Sequence, residues 1–169
     1  MARVAYDIAA LQYLYGANRN PTNAEALAKR QTTTFTDGWA GLESLWTPQG
    51  ASLDMSAMTK NNIVDLREGA FSSIGNTKNN VSLAYGSKIA SVTGGSGNDD
   101  IYAAESGTMT LNGGAGADTL YLAGTSKEWT LNGTTYTRKI GGKVVATIAA
   151  TGFETVTYYN PSKTALMRA

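Results

Sequence analysis

Two nine-residue stretches carry the side chains and backbone that could hold a hard metal ion. Residues 94–102 read GGSGNDDIY, and residues 113–121 read GGAGADTLY. Both follow the nonapeptide G-G-x-G-x-D-x-U-x at every defined position, where U is a large apolar residue. The glycines permit backbone conformations with φ > 0, so carbonyl oxygens can turn inward on one point. The aspartate adds an anionic oxygen. Ca2+ takes such a mixed cage, with about 6–8 oxygen ligands at roughly 2.3–2.6 Å. The candidate ligands are Gly94, Gly95, Ser96, Gly97 and Asp99, with Gly113, Gly114, Ala115, Gly116 and Asp118. The bland alternative is a pair of ordinary Gly/Asp turns between strands. Two full matches of one polarity, each followed by a β-forming residue, favour the calcium turns.

The spacing says how the two stretches would cooperate. Gly94 and Gly113 are 19 residues apart. Nine-residue half-turns alternate sides of a coil, so turns on one side recur about every 18 residues. The two loops should therefore stack as neighbours on one edge, with one residue inserted. An ion between them would draw on the carboxylates of Asp99 and Asp118 and on glycine carbonyls of both loops. Ile101 and Leu120 should point into the coil. The half-turn between, residues 103–112, keeps Gly107 but has lost its aspartate. It should face the other edge, with Leu111 in the core and Glu105 an extra ligand at most. Asp100 is expected to face solvent, with an edge-on reach to an ion as the alternative.

The elements around these turns read as mainly β: a parallel β-roll with glycine-rich calcium turns, a short N-terminal helix and a C-terminal β-hairpin cap. Ile8, Leu11, Leu14 and Tyr15 recur at helical spacing over residues 6–16, with Gly16 as the stop, and a second short helix fits 23–30. Short strands are expected around Phe35, before the Asp37-Gly38 turn, then at Leu45-Trp46, Leu53–Met55, Ile63–Leu66 and Val81–Tyr85. Trp39 and Trp46 read as core anchors, with exposed sugar-stacking platforms as the sharper alternative. Residues 127–159 read as a four-segment β-meander broken at Asn132-Gly133 and Gly141-Gly142, which are hairpin turn signals. The chain then divides into a helical linker segment (1–30), degenerate roll strands (31–93), calcium repeats (94–122), a hairpin cap (123–160) and a tail (161–169).

Composition limits the chemistry. Of 169 residues, 19 are glycine, 3 are proline and 16% are charged, a turn-rich β composition. A net charge of +1 gives no footing for nucleic acid. No apolar run is long enough for a membrane span. The N-terminus lacks the basic-then-apolar pattern of a cleaved signal peptide. There is no cysteine and no histidine. That removes disulfides, thiolate and imidazole zinc sites, and every histidine-based triad or general base. The expectation is a chain with no catalytic residues.

The sequence resembles the C-terminal domain of the serralysin-type secreted metalloproteases (peptidase family M10). The likeness runs through DIAALQYLYGAN (7–18), NIVDLREGAFSSIG (62–75) and NVSLAYGSKIASVTGGSGND (80–99), in order and spacing. The first segment is, in that family, the helix that joins the protease domain to the β-roll. The tail ending in TGFETVTYY is similar to hairpin caps that close many proteins with these RTX repeats. The resemblance implies a secreted, extracellular domain that leaves the cell unfolded through type I secretion machinery and folds on meeting Ca2+ outside, behind an upstream protease domain.

Several positions depart from that pattern. Nothing here matches the family's zinc-binding H-E-x-x-H helix. The stretch Trp46–Asp54 lacks the acidic ligands of an upstream calcium segment, and Lys88–Ser91 replaces a common glutamate. Ala165–Ala169 lacks the acidic-then-apolar secretion terminus. Met1 lies directly before the domain border, which suggests a fragment or a truncated gene. Three functions follow in order: a calcium-dependent folding domain of an extracellular protein, a binding or adhesion module for sugar polymers or a cell-surface layer, and an enzyme built on a carboxylate pair.

Overall fold

The computed structural model of the protein describes residues 31–161. The helices expected at 6–16 and 23–30, and the tail from residue 162, lie outside the described residues. Among the described residues there are fourteen strands and one 3-10 turn, Ser126–Glu128. Five strands from across the chain build one side of a coil: β1 (Gln31–Thr36), β3 (Ala51–Ala57), β7 (Ile89–Thr93), β9 (Gly107–Asn112) and β13 (Lys143–Thr151), paired in parallel in that order. Four form the facing sheet: β4 (Ile63–Asp65), β8 (Asp100–Tyr102), β10 (Thr119–Ala123) and β14 (Thr155–Tyr159), also parallel. A small third sheet holds β2 (Glu43–Leu45), β6 (Val81–Leu83) and β5 (Phe71–Ser72). This is the mainly β, parallel-roll architecture read from the repeats.

Alternation along each strand puts one face inside. On one wall Leu53, Val92, Leu111 and Ala150 stand in register on successive strands. On the other, Val64, Ile101, Leu120 and Val156 do the same. Seven of these eight are buried and Val156 is half-buried. Each fully buried aliphatic side chain contributes about 1.5–3 kcal/mol. The two ladders make each rung depend on its neighbour. Ile101, Leu120 and Leu111 lie in the core as their places in the repeat require.

At the far end of the short strands a polar–aromatic cluster replaces the aliphatic ladder. Tyr102 stacks on Tyr121 with ring centroids 4.1 Å apart. The buried Tyr159 hydroxyl donates to the Ala103 carbonyl at 2.7 Å. Arg67 lies 4.9 Å from the Tyr159 ring centre and is held by two charge-assisted bonds to buried Asp65. These contacts pin the strand ends opposite the glycine turns.

The expected meander is present through its third strand. β11 (Trp129–Asn132), β12 (Thr135–Ile140) and β13 pair antiparallel across glycine turns with positive φ at Gly133, Gly141 and Gly142. The fourth segment departs from it. β14 leaves the meander, crosses to the opposite sheet and pairs in parallel with β10. Alternation fixes which face of a strand is apolar but not its partner, and Val156 finds its place beside Leu120 across the coil. Trp129 is buried and donates its indole N–H to the Ala123 carbonyl at 2.8 Å. Arg138 ties β12 back to the roll through Glu128 and the Glu105 carbonyl. Trp39 packs edge-on against Phe35, with centroids 4.9 Å apart, and joins the core as a partly buried residue. Trp46 is half-buried.

Candidate metal centre

Four times the chain passes from the long-stranded wall to the short-stranded wall on the same edge. The crossings are residues 58–62, 94–99, 113–118 and 152–154. The 103–106 turn, which carries exposed Glu105, returns the chain on the other edge, so Glu105 stands away from the glycine loops.

The two nonapeptide loops stack directly. Ala115 N–H donates to the Gly95 carbonyl at 2.9 Å, and Thr119 N–H to the Asp99 carbonyl at 2.8 Å. Their backbones approach so closely that no side chain fits between them. An ideal Cβ at Gly94 would lie 1.7 Å from the Gly113 carbonyl oxygen, and one at Gly114 would lie 2.2 Å from that of Gly95. At Gly116 the corresponding distance, to the Gly97 carbonyl, is 2.4 Å. Ser96 and Ala115, the variable positions, are exposed. Ser96 N–H donates to Met58 in the crossing below at 2.9 Å.

The last residue of each crossing forms a second column. Asn62 N–H donates to Asp99 Oδ1 at 2.8 Å, Asp99 N–H to Asp118 Oδ1 at 2.7 Å, and Asp118 N–H to Glu154 Oε2 at 2.7 Å. Beside it, Asn61 Oδ1 accepts from Asn98 N–H, and Asn98 Oδ1 accepts from Ala117 N–H. Asn62, Asn98 and Glu154 were not among the residues expected from the nonapeptides. Period alone could have found two of them: Asn62 precedes Asp99 by 37 residues and Glu154 follows Asp118 by 36, each about two coils.

The two aspartates differ in how they are satisfied. Asp99 Oδ1 also accepts from Asn62 Nδ2 at 2.9 Å, and its Oδ2 accepts from Gly95 N–H at 3.2 Å. Asp118 Oδ2 is buried with no partner. Burial holds the Asp99 carboxyl above the ordinary carboxylate range, against the opposing bonds from Gly95 and Asn62. Burial likewise raises Asp118, and the charges of Asp99 and Glu154 add to the effect. Asp100 is half-buried, on β8.

This donor set suits a hard cation. It consists of carboxylates and backbone carbonyls around glycines that cannot accept a Cβ, with one buried carboxylate oxygen left unpaired. Among the described residues no three acidic side chains gather on one point. Carbonyl oxygens would therefore have to supply most of a cage.

The fold and its turns place the chain among parallel β-rolls with glycine–aspartate crossings. The chain belongs to the family of serralysin C-terminal regions of peptidase family M10, whose family model matches residues 12–158. It is 37% identical over 101 residues to Serralysin C of Dickeya chrysanthemi, covering 55% of this chain and 21% of that protein. It is 33% identical over 109 residues to Serralysin of Proteus mirabilis, covering 60% and 22%. Metallopeptidase AprA of Pseudomonas marginalis is 37% identical over 101 residues, covering 55% and 21%. The chain thus matches about a fifth of the length of these curated relatives.

Proposed function

We propose that this chain is a non-catalytic calcium-binding region of a type I secreted, extracellular protein of the serralysin kind, which folds on Ca2+ and supports export and stability. The observation that carries this reading is the stack of two complete nonapeptide loops closed to any side chain, with Asp118 Oδ2 buried and unpaired beside it. Gly94, Gly95, Ser96, Gly97, Asp99, Gly113, Gly114, Ala115, Gly116 and Asp118 would hold the ion. When bound, Ca2+ supplies the positive charge that the stacked aspartates lack. Oxygens packed around one point repel one another without the ion, so binding and folding are coupled. The partners in this reading are calcium ions, an upstream protease domain and the type I secretion apparatus. Peptide hydrolysis would belong to the upstream domain, because zinc catalysis needs three protein ligands in an open site and this chain has neither histidine nor cysteine.

Calorimetric titration with Ca2+ tests the reading, wild type against the Asp99→Ala, Asp118→Ala double variant. The wild type should bind Ca2+ and gain about 2.7 kcal/mol of stability at a hundredfold excess over Kd. Unchanged stoichiometry in the double variant would remove the site assignment. An unchanged melting point in excess chelator would remove the coupling.

A further inference from the structure

The tripeptide Leu-Asn-Gly occurs twice, at 111–113 and at 131–133, and these hold the only Asn-Gly pairs of the chain. Such a pair can react with itself. The backbone nitrogen of the glycine adds to the Asn side-chain carbonyl carbon and closes a five-membered imide. The Cγ–Nδ2 bond breaks and ammonia leaves. Water then opens the imide at either carbonyl, giving Asp or isoAsp. A following glycine favours the step because, without a Cβ, its backbone reaches the cyclising geometry freely. The reacting residues are the same at both places, so tertiary structure decides which of them reacts. We propose that Asn112 is a deamidation site that the closed crossings silence and that opening of the loops unmasks, with Asn132 reactive in both states.

The two sites stand in opposite surroundings. Asn132 and Gly133 are exposed at the tip of the β11–β12 hairpin. A Cβ added at Gly133 would meet nothing within 4 Å, so the backbone there has room to turn. Gly113 is buried, and its N–H donates to the Thr151 carbonyl at 3.0 Å. The nitrogen that must attack is therefore already a committed donor. The electrophile is held as well: Asn112 Oδ1 accepts from Gly114 N–H at 3.2 Å. Asn112 lies in register between Thr93 and Thr151, and its carbonyl accepts from Gly94 N–H at 2.8 Å. A Cβ added at Gly113 would sit 1.9 Å from the Gly152 carbonyl oxygen, so this rung has no room in which to swing. Reaction at Asn112 thus requires the crossing to open, and its rate follows the population of the open form. The product would not reclose well. IsoAsp puts an extra carbon into the backbone of the rung, and either acid adds a carboxylate near a column that already holds Asp99, Asp118 and Glu154. Deamidation at 112 would then remove from the folding equilibrium those chains whose loops stay open too long. The site is fixed by the crossings themselves and not by which ion they take.

The full chain would be incubated in mildly alkaline buffer with Ca2+, with chelator, and in urea, and mapped at intervals by tandem mass spectrometry for Asp and isoAsp at positions 112 and 132. With Ca2+, Asn132 should convert at least tenfold faster than Asn112. In urea the two rates should converge, because the tripeptides are the same. Material modified at 112 in urea should refold less completely than material modified at 132 alone. Equal rates at the two sites in the folded chain would overturn the proposal, as would an Asn112 that stays intact in urea while Asn132 converts. The chelator arm separates this inference from the calcium reading. Faster conversion at 112 alone would support both. A rate at 112 as slow in chelator as in Ca2+, but released by urea, would count against calcium-coupled closure and leave the silenced site standing.

Discussion

Replacing Gly113 by alanine tests whether the crossings are locked backbone against backbone. Gly113 is not among the glycines with positive φ, so the substitution carries no conformational penalty of its own. The new methyl would lie 1.9 Å from the Gly152 carbonyl oxygen, where ordinary contact begins at 3.4 Å. Neighbouring strands sit about 4.8 Å apart, so the rung cannot absorb that difference without opening. Opening would break the 3.0 Å bond from Gly113 N–H to the Thr151 carbonyl. Overpacking costs about 1–3 kcal/mol, and a lost hydrogen bond about 1 kcal/mol more. The expected loss is therefore about 2–4 kcal/mol, a fall in Tm of roughly 10 °C for a domain of this size. Two controls separate the causes. Gly107 has φ +100° with nothing within 4 Å, so Gly107→Ala should show backbone strain alone, about 1–3 kcal/mol. Gly38 has open space and no positive φ, so Gly38→Ala should stay within about 0.5 kcal/mol of wild type. Urea unfolding of the three variants, with Ca2+ and with chelator, gives the comparison. Gly113→Ala as stable as Gly38→Ala would refute the close-stacking argument.

Other consequences follow from the column of crossing residues. Burial raises the Asp99 and Asp118 pKa values above 3.8, so the folded chain holds protons that the unfolded chain has released. In chelator their contribution to stability is fully present below pH 3.8 and is lost as pH rises through the folded-state values. Asp118→Asn does not titrate. The stability of wild type relative to Asp118→Asn should thus fall in chelator as pH rises above 3.8, and that fall should be absent in excess Ca2+, where the bound ion keeps the carboxylate charged. A pH-independent difference in urea midpoint would contradict this. Asn62→Ala should destabilise the chain by about 2–4 kcal/mol whether or not Ca2+ is present. It strips a donor from buried Asp99 and the acceptor from Gly75 N–H, whose bond to Asn62 Oδ1 is 2.8 Å. A loss seen only with Ca2+ bound would instead make Asn62 part of the ion site.

The nonapeptides were legible because each of their positions answers to a local rule. Glycines stand where the backbone must bend or approach closely, an aspartate where a turn needs an anion, and Ile101 and Leu120 where the next strand turns inward. Their spacing of 19 residues predicted the stacking, and Thr119 lies beside Asp100 as that spacing requires. The hairpin turns at Asn132-Gly133 and Gly141-Gly142 were legible for the same reason, since a positive φ selects glycine. Tertiary structure alone decided what happens between distant segments. It sent β14 out of the meander to lie against β10, because a half-apolar strand specifies a buried face and not a partner. It set Asn62 and Glu154 at either end of the aspartate column, where their hydrogen-bonding roles come from residues about two coils away in sequence. It also made the two aspartates unequal. Both occupy the same place in the same motif, but Asn62 meets the charge of one, while the other keeps a buried oxygen with no donor.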